Sequence, residues 1–136
     1  MSKSYHGSCL CGAVTFKVSG FSKKAAHCHC TMCRKFHGAA FGTLVEVHGL
    51  TWLSGKAQLK EFTAPSNGAI RSFCQHCGSS IGFRCKGQPL EEMELAIATF
   101  DEPIPVTIDA NIYTQYKANW HEILEDVPQH PEGRDS

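Results

Sequence analysis

The chemistry this chain can do is concentrated in sulfur. Eight cysteines in 136 residues fall into three motifs and one single position: Cys9-Leu10-Cys11, Cys28-His29-Cys30-Thr31-Met32-Cys33, Cys74-Gln75-His76-Cys77, and Cys85. A tetrahedral zinc with Zn–S bonds of ~2.3 Å holds its sulfurs about 3.8 Å apart. Two cysteines separated by two residues reach that spacing when the chain turns between them. Gly12 and Gly78 directly follow the second cysteine of their pairs, and a glycine there can take the positive φ of a tight metal knuckle. Cys9 and Cys11 share a strand face and converge with a slight bend. Cys9, Cys11, Cys74 and Cys77 are therefore expected to close a four-thiolate structural zinc site that staples the N-terminal strand to a distant hairpin. A disulfide reading is disfavoured by the expected compartment, and a redox reading of Cys74 and Cys77 lacks a βαβ context.

Cys28, Cys30 and Cys33 are different, since they can wrap one ion from three sides. Three protein ligands leave a fourth position for water or an incoming ligand, as in a catalytic zinc site. The expected cofactor is zinc, two ions per chain. Two alternatives stand beside this: a second four-thiolate site completed by Cys85, or a single zinc with spare thiols. Cys85 also reads as a free core cysteine. Arg34 and Lys35 follow the cluster directly and are candidates to receive a carboxylate of a peptide thiol, or else are ordinary solvated cations. By alternation His29 should point away from its cysteine neighbours. His27 and His37 are better placed for proton transfer, and His76 should lie exposed at a knuckle tip. Phe36, Phe41, Trp52, Phe73, Phe83 and Trp120 fit a core more readily than a pocket wall.

The elements that must position these groups read mainly as strands. Val14, Phe16 and Val18 alternate with polar residues, as in a half-buried strand. Further strands are expected over residues 39–47, 50–53 and 58–62, with Ser54-Gly55-Lys56 as a turn. Residues 70–73 and 81–84 flank the second cysteine pair as a hairpin; residues 93–98 and 108–113 complete the set. Helix is limited to about one turn over Thr31–Phe36 and another over Pro89–Glu92. The class is mainly β, with packed antiparallel sheets. Lys23-Lys24 reads as a short charged loop. One domain is expected over residues 1–126, with 127–136 a flexible tail on account of Pro128, Pro131 and Gly133.

Thirteen basic residues balance thirteen acidic ones, which argues against a nucleic-acid partner. No apolar run approaches the ~20 residues of a membrane span, and no apolar segment follows Lys3 as in a signal peptide. The expected compartment is the cytoplasm, where thiols stay reduced.

Taken in order, Gly7-Ser8-Cys9-Leu10-Cys11-Gly12, Cys28-His29-Cys30-Thr31-Met32-Cys33-Arg34-Lys35 and Phe73-Cys74-Gln75-His76-Cys77-Gly78-Ser79 resemble the glutathione-dependent formaldehyde-activating enzyme family, which includes a centromere-protein V branch. The likeness continues through Phe41-Gly42 and weakly into Thr99-Phe100-Asp101-Glu102-Pro103 and Trp120. One departure is Ala98, where the family usually carries a glycine. The resemblance implies a β-tent fold and the same division of cysteines between a structural and an active-site zinc. It implies a carbon–sulfur lyase type of activity: addition of glutathione to a small aldehyde, formaldehyde, to give S-(hydroxymethyl)glutathione. A non-catalytic zinc module, as in the centromere branch, and the same site acting on another thiol adduct are the alternatives.

Overall fold

In a computed structural model the described residues are 3–136; Met1 and Ser2, the start of the N-terminal stretch, lie outside them. Ten strands and one helix build two sheets. In chain order the strands are β1 (Tyr5–Ser8), β2 (Thr15–Val18), β3 (Gly20–Cys28), β4 (Gly42–His48), β5 (Thr51–Ser54), β6 (Leu59–Thr63), β7 (Ile70–Cys74), β8 (Ser80–Arg84), β9 (Glu94–Ala96) and β10 (Ala110–Ile112). Helix α1 covers Thr31–His37, between β3 and β4.

The small sheet has the order β1-β2-β5, and the large one β10-β3-β4-β9-β8-β7-β6. Neighbours are antiparallel except β10, which runs parallel to β3. The mainly β, packed-sheet class read from the sequence is the class observed. A single helix of seven residues stands where one helical turn was expected.

The core lies between the sheets. Val14, just before β2, and Phe16 and Val18 within it form an alternating, fully buried set that meets Ile81 and Leu95 of the large sheet and Met93 just before β9. Phe16 packs edge-on against Trp52 and Phe100, with ring centroids 5.6 and 5.5 Å apart. This arrangement suits aromatic quadrupoles.

Three features depart from the sequence reading. Lys23 and Lys24, read as a loop, lie within β3, at an irregularity in its pairing with β4 between Phe21 and Ala25. Ile97 and Ala98, read as strand, turn into a 3₁₀ helix over Ile97–Thr99 after Ala96. Residues 127–136, expected as a flexible tail, run beside β10. Asn111 donates its N–H to Pro128, and Tyr113 donates to Glu132. Arg134 forks onto Asp109 with both terminal nitrogens, at 3.0 and 2.9 Å.

Candidate metal centres and the cavity between the strands

The first cysteine group forms where the β1–β2 turn meets the β7–β8 hairpin. The four sulfurs of Cys9, Cys11, Cys74 and Cys77 all lie within 4.8 Å of one another. Cys9 and Cys11 are 3.6 Å apart and Cys11 and Cys74 3.9 Å, close to the ~3.8 Å edge of a tetrahedral zinc–sulfur site. Each arm is a knuckle. Gly12 donates to the Cys9 carbonyl and Gly78 to the Cys74 carbonyl, with φ of 82° and 77°. Ser79 ties the arms together: its hydroxyl accepts from the Leu10 N–H at 2.8 Å and lies 3.2 Å from the Cys77 sulfur. That hydroxyl, followed by the Ser79 backbone, holds the Cys77 thiol down to about 5. His76 is exposed at the knuckle tip.

The second group gathers Cys28 at the end of β3, Cys30 at the N-cap of α1 and Cys33 in its first turn, again within 4.8 Å. The capping position normally filled by Ser, Thr, Asp or Asn is taken by a sulfur: Cys30 accepts the Cys33 N–H at 3.3 Å. The three thiols share their protons unequally. Hydrogen bonds from Cys28 and Cys33 hold Cys30 far below an ordinary thiol, with a further contribution from the charge of Arg71. The same bonds to Cys30 and Cys33 push Cys28 up. Cys85 is exposed just after β8 and belongs to neither group. Both groups offer soft sulfur donors at zinc-compatible spacing, so both can hold a metal ion.

The three sulfurs open into a cavity of about 520 Å³, within the usual range for a small-molecule site. Arg71, the second residue of β7, is 5 % exposed. Its terminal nitrogens reach the Cys33 sulfur at 3.9 Å and the Met32 thioether at 3.8 Å, and its guanidinium lies 5.1 Å from the Phe83 ring centroid. None of the four ion pairs among the described residues includes it. A buried cation facing sulfur requires negative charge there, which three deprotonated cysteines would supply.

Along the strands away from the sulfurs the lining changes. Ala26 and Leu44 form an apolar middle, and Lys24, Glu46 and Glu94 stand at the far end. Burial, then the charge of Glu46, pushes the Glu94 carboxyl above its ordinary value, while Arg134 pulls it back. An acid whose pKa is raised on folding binds its proton more readily in the native state. Stability is therefore lost as pH rises from the unfolded value through the raised folded one. Glu94→Gln should remove that loss. In denaturant melts the variant's advantage over the parent should grow as pH rises above the unfolded value of 4.5; a pH-independent difference would contradict the assignment.

Other candidates are scattered. Arg34 and Lys35 line a separate hollow with Gly38, Ala39 and Trp120 rather than the cavity of the three sulfurs. His29 is fully buried and points away from the cavity; its Nε2 donates to Asn111 Oδ1 at 2.9 Å. His27 lies against Phe41 and bonds Thr43. The His37 ring rests on Gly42, where no side chain would fit. Burial, and after it Arg71, lowers the His37 pKa. Arg71, Tyr113, Glu46 and Glu94 were not singled out from the sequence. The usable signal was a lone charge inside an apolar strand, as at Arg71 between Ile70 and Phe73.

A mainly β fold with two clusters of thiols that could each hold a metal ion, one of them facing a cavity, defines a cysteine-rich protein with two candidate metal centres. Residues 4–116 match the family model described as glutathione-dependent formaldehyde-activating enzyme, and the chain belongs to that family. A crystal structure of a Rhodobacter sphaeroides protein from a structural genomics programme is similar in fold. It has a TM-score of 0.58 at 24% identity, covering 91% of this chain and 98% of that one. No curated protein matches the chain. No helix among the described residues is long and apolar enough to cross a membrane.

Proposed function

We propose that this chain is a zinc-dependent enzyme of the carbon–sulfur lyase type. It adds the thiol of glutathione to a small aldehyde such as formaldehyde, giving S-(hydroxymethyl)glutathione, in the cytoplasm. The observation that carries the reading is a three-sulfur cluster opening into a cavity beside a buried arginine. Cys28, Cys30 and Cys33 would hold one zinc; Cys9, Cys11, Cys74 and Cys77 would hold the other as a structural ion. Zinc at the three-cysteine cluster would supply an open position at which a thiol loses its proton near neutral pH.

The chain's own residues do the rest. The cavity holds sulfur and carbonyl together, which removes the entropy cost of encounter. Arg71 lies where negative charge collects, first on sulfur and then on oxygen. The sulfur lone pair forms the C–S bond while the C=O π pair moves onto oxygen. That alkoxide takes up one proton, matching the one the thiol released. Tyr113, which lines the cavity, would pass that proton. Apolar Ala26, Leu44 and Ile112 limit competing water.

Native mass spectrometry of the purified chain should find two zinc ions, one removed by mild chelator with the fold retained. Cys30→Ser should carry only one and still melt cooperatively. Turnover must exceed the uncatalysed addition of thiol to formaldehyde and vanish with the labile ion. A parent chain holding a single tightly bound ion would refute the open-site reading.

A further inference from the structure

The cavity has two unlike ends, and the strand register sets the distance between them. Side chains on one face of a strand recur every second residue, so Cys28, Ala26 and Lys24 line the cavity from β3, and Leu44 and Glu46 from β4. Cys28 lies four steps along the strand from Lys24, about 13 Å at ~3.3 Å per residue. β4 and β9 pair Leu44 with Ala96 and Val45 with Leu95. Continuing that register sets Glu46 opposite Glu94.

Like charges directly opposite one another destabilise a sheet. Neither carboxylate takes part in any of the four ion pairs among the described residues, and neither does Lys24. Arg134, the other cation on this wall, already forks onto Asp109. At the opposite end the same cavity is lined by Arg71, which is 5 % exposed, has no carboxylate partner among the described residues and meets sulfur and an aromatic ring.

We propose that Glu46, Glu94 and Lys24 form a receptor for the α-amino-acid head of the thiol substrate, the carboxylate pair taking its ammonium and Lys24 its carboxylate. The inference rests on the function proposed above and specifies which thiols the site accepts. A suitable molecule carries its sulfur at one end and a zwitterionic head roughly 10 Å of extended chain away, with uncharged links between to cross Ala26 and Leu44. The γ-glutamyl arm of glutathione meets that description. A thiol ending in an amide or acetyl group does not. The two acids then oppose each other across the sheet because a bound ammonium needs acceptors on both sides, and charge-assisted bonds of that kind are the strong ones.

The test uses the full chain with cobalt in place of zinc, the labile site's visible spectrum reporting thiol binding. Glutathione and N-acetyl-cysteinylglycine share the same cysteinylglycine portion and differ in the γ-glutamyl head. The parent should bind glutathione at least tenfold more tightly. The double variant Glu46→Gln, Glu94→Gln should bring glutathione to within twofold of the acetylated thiol while leaving the latter's affinity unchanged. Lys24→Ala should lower only the affinity for glutathione, by severalfold. The glutamines keep shape and remove like-charge opposition, so the double variant should melt no lower than the parent; melting and metal content check this. Equal affinities in the parent, or a tenfold preference surviving in the double variant, overturn the head-group receptor alone. A cobalt spectrum that responds to neither thiol overturns the fourth-position reading, and the receptor with it.

Discussion

Cys77→Ser should give a chain that cannot hold its fold, whereas loss of a thiol from the three-cysteine cluster should be survivable. Cys77 belongs to a group whose four sulfurs lie within 4.8 Å of one another and come from turns 63 residues apart in sequence, as in the Cys11–Cys74 contact. Apart from the core beneath them, which includes Cys9 and Cys74, the two turns share few contacts. They carry one cross-hydrogen bond from the Leu10 N–H to Ser79, and Leu10 itself is 86 % exposed. A structural zinc in a cysteine site contributes roughly 10–16 kcal/mol of apparent binding free energy. A domain is held folded by only about 5–15 kcal/mol in total. A serine hydroxyl does not ionise at neutral pH and is a poor zinc ligand, so most of that contribution is lost with one atom. The β1–β2 turn would separate from the β7–β8 hairpin, and with it Val14 and Phe16 from Ile81. Far-UV circular dichroism and urea titration at pH 7 should show no cooperative transition for Cys77→Ser and a clear one for Cys30→Ser. A Cys77→Ser melt matching the parent would show that the sheets stay together without this metal.

Much of this arrangement is legible in the amino-acid sequence. Short motifs carry their own geometry, so Cys9, Cys11, Cys74 and Cys77 converge, Gly12 and Gly78 take positive φ, and Cys28, Cys30 and Cys33 gather at a helix start. Alternation in β2 names the core residues Val14, Phe16 and Val18. What hid was whatever depends on strands that do not alternate or on register between distant strands. β3 carries Lys23, Lys24 and His27 among small residues and is hydrogen-bonded on both sides in the large sheet; its local composition resembles a loop. β10 joins β3 in parallel after a long connection, a partner that no local pattern announces. Arg71 is a single charge in an apolar strand, and only the fold shows that it faces the Cys33 sulfur rather than solvent. The opposition of Glu46 and Glu94 exists only in the β4–β9 register. Arg34 and Lys35, chosen for their nearness to Cys33 in sequence, lie along α1 beside Trp120, because a helix turns adjacent residues onto different faces.

Arg71→Met should separate the stability of the empty fold from the affinity of its three-cysteine site, moving the two in opposite senses. Without metal Cys28 and Cys33 hold their protons more tightly than ordinary thiols, so only the Cys30 sulfur offsets the buried guanidinium, which has no carboxylate to meet. Replacing such a buried charge with an apolar side chain of similar reach is commonly neutral or stabilising. Met32 and Phe83 already give apolar contact for the new thioether. With a divalent ion on three thiolates the centre carries one net negative charge, and Arg71, donating to Cys33, is its counter-charge. Removing one partner of a buried charge pair costs about 3–5 kcal/mol, or roughly 10²–10³-fold in affinity at ~1.4 kcal/mol per decade. Chelator competition on Arg71→Met should therefore strip the labile ion at roughly 10²–10³-fold lower chelator activity, while the four-cysteine ion stays bound. The metal-free variant should melt at or above the metal-free parent. Arg71→Lys keeps the charge but not the two-pronged donor geometry, and should fall between them. Unchanged metal affinity in Arg71→Met would mean that the guanidinium does not compensate the cluster's charge, and the negative centre inferred from its burial would have to be abandoned.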